Sequence, residues 1–331
     1  MVAPASKDKF SGNVVIGKFE HPDLTVQGEV RASVYLDRLE TLWINTGTLC
    51  NIECLNCYIE SSPKNDRLVY FSVDDAKDLF DEIEDLQLGT EEIGFTGGEP
   101  FLNPDMLKMM QQAGQRGFQI LVLTNAMIPM QRPHIKEGLL ELQQLYPKQI
   151  TFRVSLDHYS QELHEQERGL NTWRSAISGM NWLSEHNFKI AIAGRTCWGE
   201  DDEQSRAGYS DLIAEHNWNI DPDDHSTLVL FPEVREQDEV PEITTECWDI
   251  LNVNPSDMMC ANSRMVVKRK GADKPAVLPC TLLPYDTRFE MGASLAESLK
   301  ADGGLFDDGA VKLCHPYCSK FCVLGGGSCS G

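Results

Sequence analysis

Between Glu40 and Pro232 the chain alternates short apolar, β-rich runs with longer stretches whose apolar residues recur at helical spacing. The runs Leu42–Asn45, Ile93–Thr96, Gln119–Thr124, Ile150–Ser155, Lys189–Ala193 and Thr227–Phe231 predict strands. Between the first two, Ser72 and Asp75 make a capping-box-like start before Val73, Ala76, Leu79, Phe80, Ile83 and Leu86. Asn103 and Pro104 read as N-cap and first residue of a helix carrying Met106, Leu107, Met110 and Ala113. Thr172 opens a third stripe of Trp173, Ala176, Ile177, Met180 and Leu183. The Met and Trp residues on these stripes read as core.

Six such β/α units predict an α/β fold with parallel strands and helical crossovers, closed as a partial barrel or left as an open twisted sheet. Either form binds its ligand at the C-terminal ends of the strands. The unusual residues fall there. Cys50, Cys54 and Cys57 follow the first strand, and Gly97-Gly98-Glu99-Pro100 follows the second. Thr124-Asn125 closes the third, Ser155-Leu156-Asp157 the fourth, and Arg195 follows the fifth.

After Pro232 the pattern changes. Residues 233–246 are acidic and contain Pro241, as a linker would. From Cys260 onward long periodic helices give way to Cys, Gly and Pro, which predicts a small domain held by metal more than by apolar core. The expected organisation is a polar extension over residues 1–35, to which the sequence gives no function, a barrel over 36–235, and a linker with a Cys-rich domain over 236–331.

Composition narrows the class. No run approaches the ~18 apolar residues of a membrane span, and Met1–Phe10 has no apolar stretch of the kind a secretory signal needs, so the expected location is the cytoplasm. A net charge of −22 repels phosphate backbones and anionic lipid, which disfavours nucleic acid and membrane as partners. Eleven cysteines are many for a cytosolic chain, where clustered thiols serve metal or redox chemistry. Cys197 and Cys247 stand alone and read as buried structural thiols.

The segment Cys50-Asn-Ile-Glu-Cys54-Leu-Asn-Cys57-Tyr58 places three thiols close together. A full iron–sulfur cluster takes four thiolates, so three would leave one iron open. A zinc site completed by a distant ligand, or three buried thiols, would use the same residues. With an aromatic after the third Cys and Gly-Gly-Glu-Pro after the next strand, the pattern resembles the radical S-adenosylmethionine (SAM) superfamily over roughly Leu42 to Phe231. That resemblance implies a partial barrel of six β/α units with a 4Fe–4S cluster on Cys50, Cys54 and Cys57 and SAM on its open iron. It implies Tyr58 near the adenine, and Gly97, Gly98 and Glu99 at the SAM amino group. Ser155 would lie near the ribose or carboxylate, with Asn125 on the same rim. Arg168 would pair the carboxylate, or Arg195 would. The activity implied is reductive cleavage of SAM to a 5′-deoxyadenosyl radical that takes hydrogen from the substrate.

The C-terminal cysteines are Cys260, Cys280, Cys314, Cys318, Cys322 and Cys329. The stretch from Cys260-Ala-Asn-Ser-Arg through Gly271 to Leu278-Pro279-Cys280 resembles the auxiliary-cluster domains of the SPASM and twitch type. The terminal Cys-x3-Cys-x3-Cys-x6-Cys departs from the SPASM pattern, which has a Cys-x2-Cys pair absent here. The resemblance implies one auxiliary 4Fe–4S cluster on Cys260, Cys280 and two of the last four cysteines, with two clusters as the alternative. A structural zinc site would use the same thiols. The leading expectation is a radical SAM oxidoreductase acting on a small molecule, with an electron donor such as flavodoxin or ferredoxin. The runner-up is a peptide-modifying maturase. From a different class, a zinc-stabilised structural or binding protein remains open.

Overall fold

The computed structural model describes residues 17–232 and 239–325. Six strands run parallel and pair in chain order: β1 (Thr41–Asn45), β2 (Glu92–Thr96), β3 (Gln119–Thr124), β4 (Ile150–Ser155), β5 (Lys189–Arg195) and β6 (Leu228–Phe231). Helices α1 (Val73–Leu86), α2 (Met106–Gln115), α3 (Pro133–Leu145), α4 (Gln161–Arg168), α5 (Thr172–Glu185) and α6 (Asp202–His216) fill the crossovers. All six expected strands form, within two residues of the expected ends.

The strands alternate between two apolar environments, as period-two side chains require. Leu42, Ile44, Phe95, Val122, Phe152 and Val154 belong to the large core shared with the helices. Trp43, Leu121 and Met265 form a smaller cluster of their own. Gly94 is glycine for the sake of Trp43, since a Cβ there would lie 2.4 Å from the indole ring. Helix α1 shows the local logic. Ser72 caps it by accepting the Asp75 N–H, Gln87 ends it in a left-handed conformation, and Ala76, Leu79, Phe80 and Ile83 form its buried face. Truncating Phe80 to Ala would cost about 3–5 kcal/mol through the cavity left behind.

The expected start of α2 needs correction. Residues Pro100–Leu102 form a separate 3-10 turn, and α2 begins only at Met106 behind Asp105. Asn103 is used otherwise. Its side-chain amide donates to the carbonyls of Thr46 and Phe71, tying the turn after β2 to the chain after β1.

The C-terminal region does not stand apart from the sheet. Strand β7 (Ser263–Val267) pairs parallel to the outer edge of β1, from Thr41↔Ser263 to Ile44↔Val266. Strand β8 (Ala276–Leu278) then pairs antiparallel to β7. Every residue of β1 is buried, so its edge needs a partner strand on both sides. The N-terminal extension joins the C-terminal region in a second core, where Phe19, Ala32 and Val34 meet Ile243, Phe289 and Leu313. Ser33–Val34 pairs with Ala310–Lys312. Arg31 and Glu242 form a buried ion pair at 2.6 Å, so the described part of the acidic linker is docked. Among the described residues no helix is long and apolar enough to cross a membrane.

Candidate active site

The chain leaving β1 is fastened to the chain leaving β2. Gly98 N–H donates to Gly47 O at 2.8 Å and Glu99 N–H to Leu49 O at 3.1 Å. A Cβ on Gly98 would lie 2.2 Å from the Leu49 carbonyl oxygen. Gly97 has a φ of +146°, and its Cβ would meet Gly47 O at 2.5 Å. Both glycines are thus required by close backbone approach, whatever ligand they face. This seam delivers Cys50 to the rim.

Cys50 is buried, while Cys54 and Cys57 are partly exposed. The Asn125 amide lies 3.8 Å from the Cys50 sulfur, and Ser61 N–H donates to Cys57 at 3.3 Å. Burial pushes the Cys50 thiol up to about 12 and the Cys54 thiol up to about 11. Thiolates at these positions would therefore need positive charge beside them, which bound iron would supply. Three thiols on one loop fit a cluster that keeps one iron open.

Glu99 is only 2% exposed. Its carboxylate accepts from the Thr124 hydroxyl at 2.8 Å, Asn125 N–H at 2.9 Å and Phe101 N–H at 3.2 Å. Despite these donors, burial raises its pKa to about 7. A cationic ligand group at this carboxylate would restore its charge.

A second charged group holds the other side of the loop. Arg168 ends α4 and meets Asp157 twice, by a hydrogen bond at 3.1 Å and by an ionic contact at 2.6 Å too poorly aligned for a second one. Burial opposes the Arg168 charge, but Asp157 and the Cys54 and Cys57 thiols outweigh it and raise its pKa. Arg195 closes β5, 3.5 Å from Asp157 and 3.7 Å from Glu167, and donates to Asn56 O at 2.8 Å. The buried Glu167 also binds the loop, accepting from Asn56 N–H and its side-chain amide. Sequence reasoning missed Glu167. Its one local signal is an acidic residue in the last turn of a helix, against the dipole.

Cys57, Asp157, Arg168 and Arg195 open on a cavity of about 330 Å³. Tyr58, Ser155, Arg168 and Arg195 line it from the rim, and Leu282 and Tyr317 from the C-terminal region. Tyr285 adds a tether, its hydroxyl donating to Ile59 O at 2.7 Å just beyond Cys57.

Behind that wall, Cys260, Cys280, Cys318 and Cys322 line one pocket, which Leu282 and Tyr317 also border. Its other walls are apolar, among them Met258, Phe289 and Leu313. Burial raises Cys260 to about 11 and Cys318 well above the ordinary thiol range, so either would carry a thiolate only with positive charge beside it. Four thiols in a dry shell suit a fully ligated 4Fe–4S cluster. Cys314 is not among them. Its Sγ lies 3.2 Å from the Phe19 carbonyl oxygen, in the core shared with the N-terminal extension. Cys329 lies outside the described residues. Arg264, at the start of β7, is buried beside this pocket. Burial pulls its pKa down to about 10, against the attraction of Cys260 and Cys280.

The comparisons agree with this class of site. The Radical SAM superfamily profile matches residues 44–204. The chain is 30% identical over 145 residues to the subtilosin biosynthesis protein AlbA of Bacillus subtilis, covering 44% of this chain and 30% of that protein. It is 26% identical over 149 residues to the AdoMet-dependent heme synthase of Methanosarcina barkeri, covering 43% of this chain and 38% of that one. The chain thus spans about a third of the length of these curated relatives. Among solved structures, Streptococcus suis SuiB bound to S-adenosylmethionine superposes with a TM-score of 0.57 at 14% identity, over 80% of this chain and 66% of SuiB. At that identity the likeness shows the fold alone.

Proposed function

We propose that this chain is a radical SAM enzyme that cleaves SAM reductively and takes hydrogen from an organic substrate held in the rim cavity. The observation that carries this is convergence. Cys57, Asp157, Arg168 and Arg195, from the chain following β1, β4 and β5, meet at one opening, and Glu99 lies behind them, bound to Asn125 beside Cys50.

Cys50, Cys54 and Cys57 hold the SAM-binding 4Fe–4S cluster, which, when bound and reduced, supplies the electron that breaks the carbon–sulfur bond of SAM. Glu99 faces the SAM ammonium, with the Gly97–Gly98 turn setting its place. Arg195 or Arg168 pairs the carboxylate; Arg195 is the more open of the two, its side chain 21% exposed against 12%. Tyr58 and Ser155 contact the nucleoside, and Asn125 steadies Cys50. Cys260, Cys280, Cys318 and Cys322 hold one auxiliary cluster. A small electron-transfer protein such as flavodoxin or ferredoxin reduces the enzyme.

The cavity suits a small substrate or a single side chain of a larger one. A peptide substrate is the second reading, favoured by the likeness to AlbA, a bacteriocin biosynthesis protein.

The test is anaerobic reconstitution, iron and sulfide counting, and assay for 5′-deoxyadenosine after reduction with SAM present. About eight irons per chain are expected, four for each cluster, with 5′-deoxyadenosine that disappears in the Cys50/Cys54/Cys57→Ala variant. Zinc in place of iron, or no 5′-deoxyadenosine from fully loaded protein, overturns the proposal.

A further inference from the structure

Arg264 is among the largest fully buried side chains of the molecule, 1% exposed. Its Nη1 donates to the carbonyls of Cys260 at 2.7 Å and Ser263 at 2.8 Å. Its Nε and Nη2 are buried and have no hydrogen-bond partner among the described residues. Two other buried guanidinium groups are matched by carboxylates: Arg31 by Glu242, and Arg168 by Asp157. An unpaired buried cation is strongly unfavourable, and so is a buried donor with nothing to donate to. The same side chain is anchored on the backbone of one thiol of the four-cysteine pocket. A cluster held by four thiolates carries net negative charge and has sulfur acceptors on every face.

We propose that Arg264 is the counter-ion of the auxiliary cluster, donating through Nε and Nη2 to its sulfur atoms and favouring its reduced form. This rests on the four-cysteine cluster assigned above. One-electron reduction adds a negative charge to the cluster and no proton, so a fixed cation in a dry shell stabilises the product of that step more than its reactant. The guanidinium thereby raises the midpoint potential and makes the site a better electron acceptor for the cavity beyond Tyr317.

The experiment uses reconstituted protein carrying Cys50/Cys54/Cys57→Ala, so that only the auxiliary cluster is read, by spectroscopic redox titration. Arg264→Gln removes the charge and keeps amide donors; Arg264→Lys keeps the charge. The Gln variant should shift the reduction equilibrium at least tenfold toward the oxidised form, a fall of about 59 mV for one electron, with the Lys variant close to the parent. Auxiliary iron lost in the Gln variant but retained in the Lys variant also supports the counter-ion role. An unchanged potential in the Gln variant, or iron lost equally from both, overturns it. A parent protein without auxiliary iron would instead sink the cluster assignment, so the two failures are told apart.

Discussion

Both oxygens of the Glu167 carboxylate are taken by a single residue of the cysteine loop: Asn56 donates its backbone N–H to Oε1 and its side-chain amide to Oε2, each at 2.8 Å. The Glu167 carbonyl accepts a third bond, from Leu55 N–H at 2.8 Å. Helix α4 therefore grips the loop between Cys54 and Cys57. Glu167→Ala should destabilise the fold by about 3 kcal/mol in urea unfolding, given hydrogen bonds to a charged group, and should speed iron loss from the SAM-binding cluster to a chelator several-fold. An unchanged rate of iron release would remove Glu167 from any role in holding that loop.

Glu99, proposed to face the SAM ammonium, should couple SAM binding to pH. Its folded pKa of about 7 lies above the ordinary 4.5, so the stability it contributes is fully present below 4.5 and is lost as pH rises through 7. A SAM ammonium at this carboxylate reverses the burial effect and lowers its pKa. Binding to the cluster-loaded enzyme should therefore release a proton at about pH 6 and tighten toward about pH 8. Calorimetry in buffers of different ionisation enthalpy measures the proton directly. Glu99→Gln should bind SAM more weakly with this pH dependence gone.

The auxiliary thiols differ in what each should do. Cys318→Ala removes a thiol of the four-cysteine pocket and should lower the iron count toward that of one cluster. Cys314→Ala should keep full iron, because its sulfur points to the Phe19 carbonyl. Equal iron loss from both variants would show that Cys314 is a ligand.

His164 is fully buried, its ring edge-on to Trp173 at 5.4 Å, with neither ring nitrogen hydrogen-bonded among the described residues. Burial, with Arg168 nearby, lowers its pKa to about 3 from the ordinary 6.5. A depressed histidine contributes stability that is complete above 6.5 and is lost as pH falls toward 3, by up to about 1.4 kcal/mol per pH unit. His164→Phe should keep the aromatic contact and flatten the acid limb of a stability–pH curve. A limb of unchanged slope would assign it to other groups.

The six barrel strands were legible because each is a short apolar run closed by turn residues, and the rim residues followed from their positions at strand ends. What escaped depends on partners distant in the chain. Ser263–Val267 carries a Ser and an Arg and is a strand only because β1 offers it an edge. Glu167 reads as one more solvated acid on a polar helix until the loop is laid against it. The terminal cysteines show the limit of spacing. Cys314, Cys318 and Cys322 are each four apart, which would align all three on a continuous helix. A wide π-helical turn spans Cys318–Val323 and Cys314 precedes it, so Cys314 escapes the alignment.

The pairing of β7 with β1 makes the two ends of the described chain mutually dependent. A fragment cut after Pro232 would keep every residue proposed to bind SAM yet bare the Thr41–Asn45 edge, a ladder of unpaired amides flanked by apolar side chains. Such an edge recruits strands from other molecules, so the shortened chain would precipitate instead of yielding a minimal enzyme. The catalytic half and the cysteine-rich half are thus one cooperative unit of inheritance: recombination between relatives at this junction would have to exchange a sheet edge along with a domain.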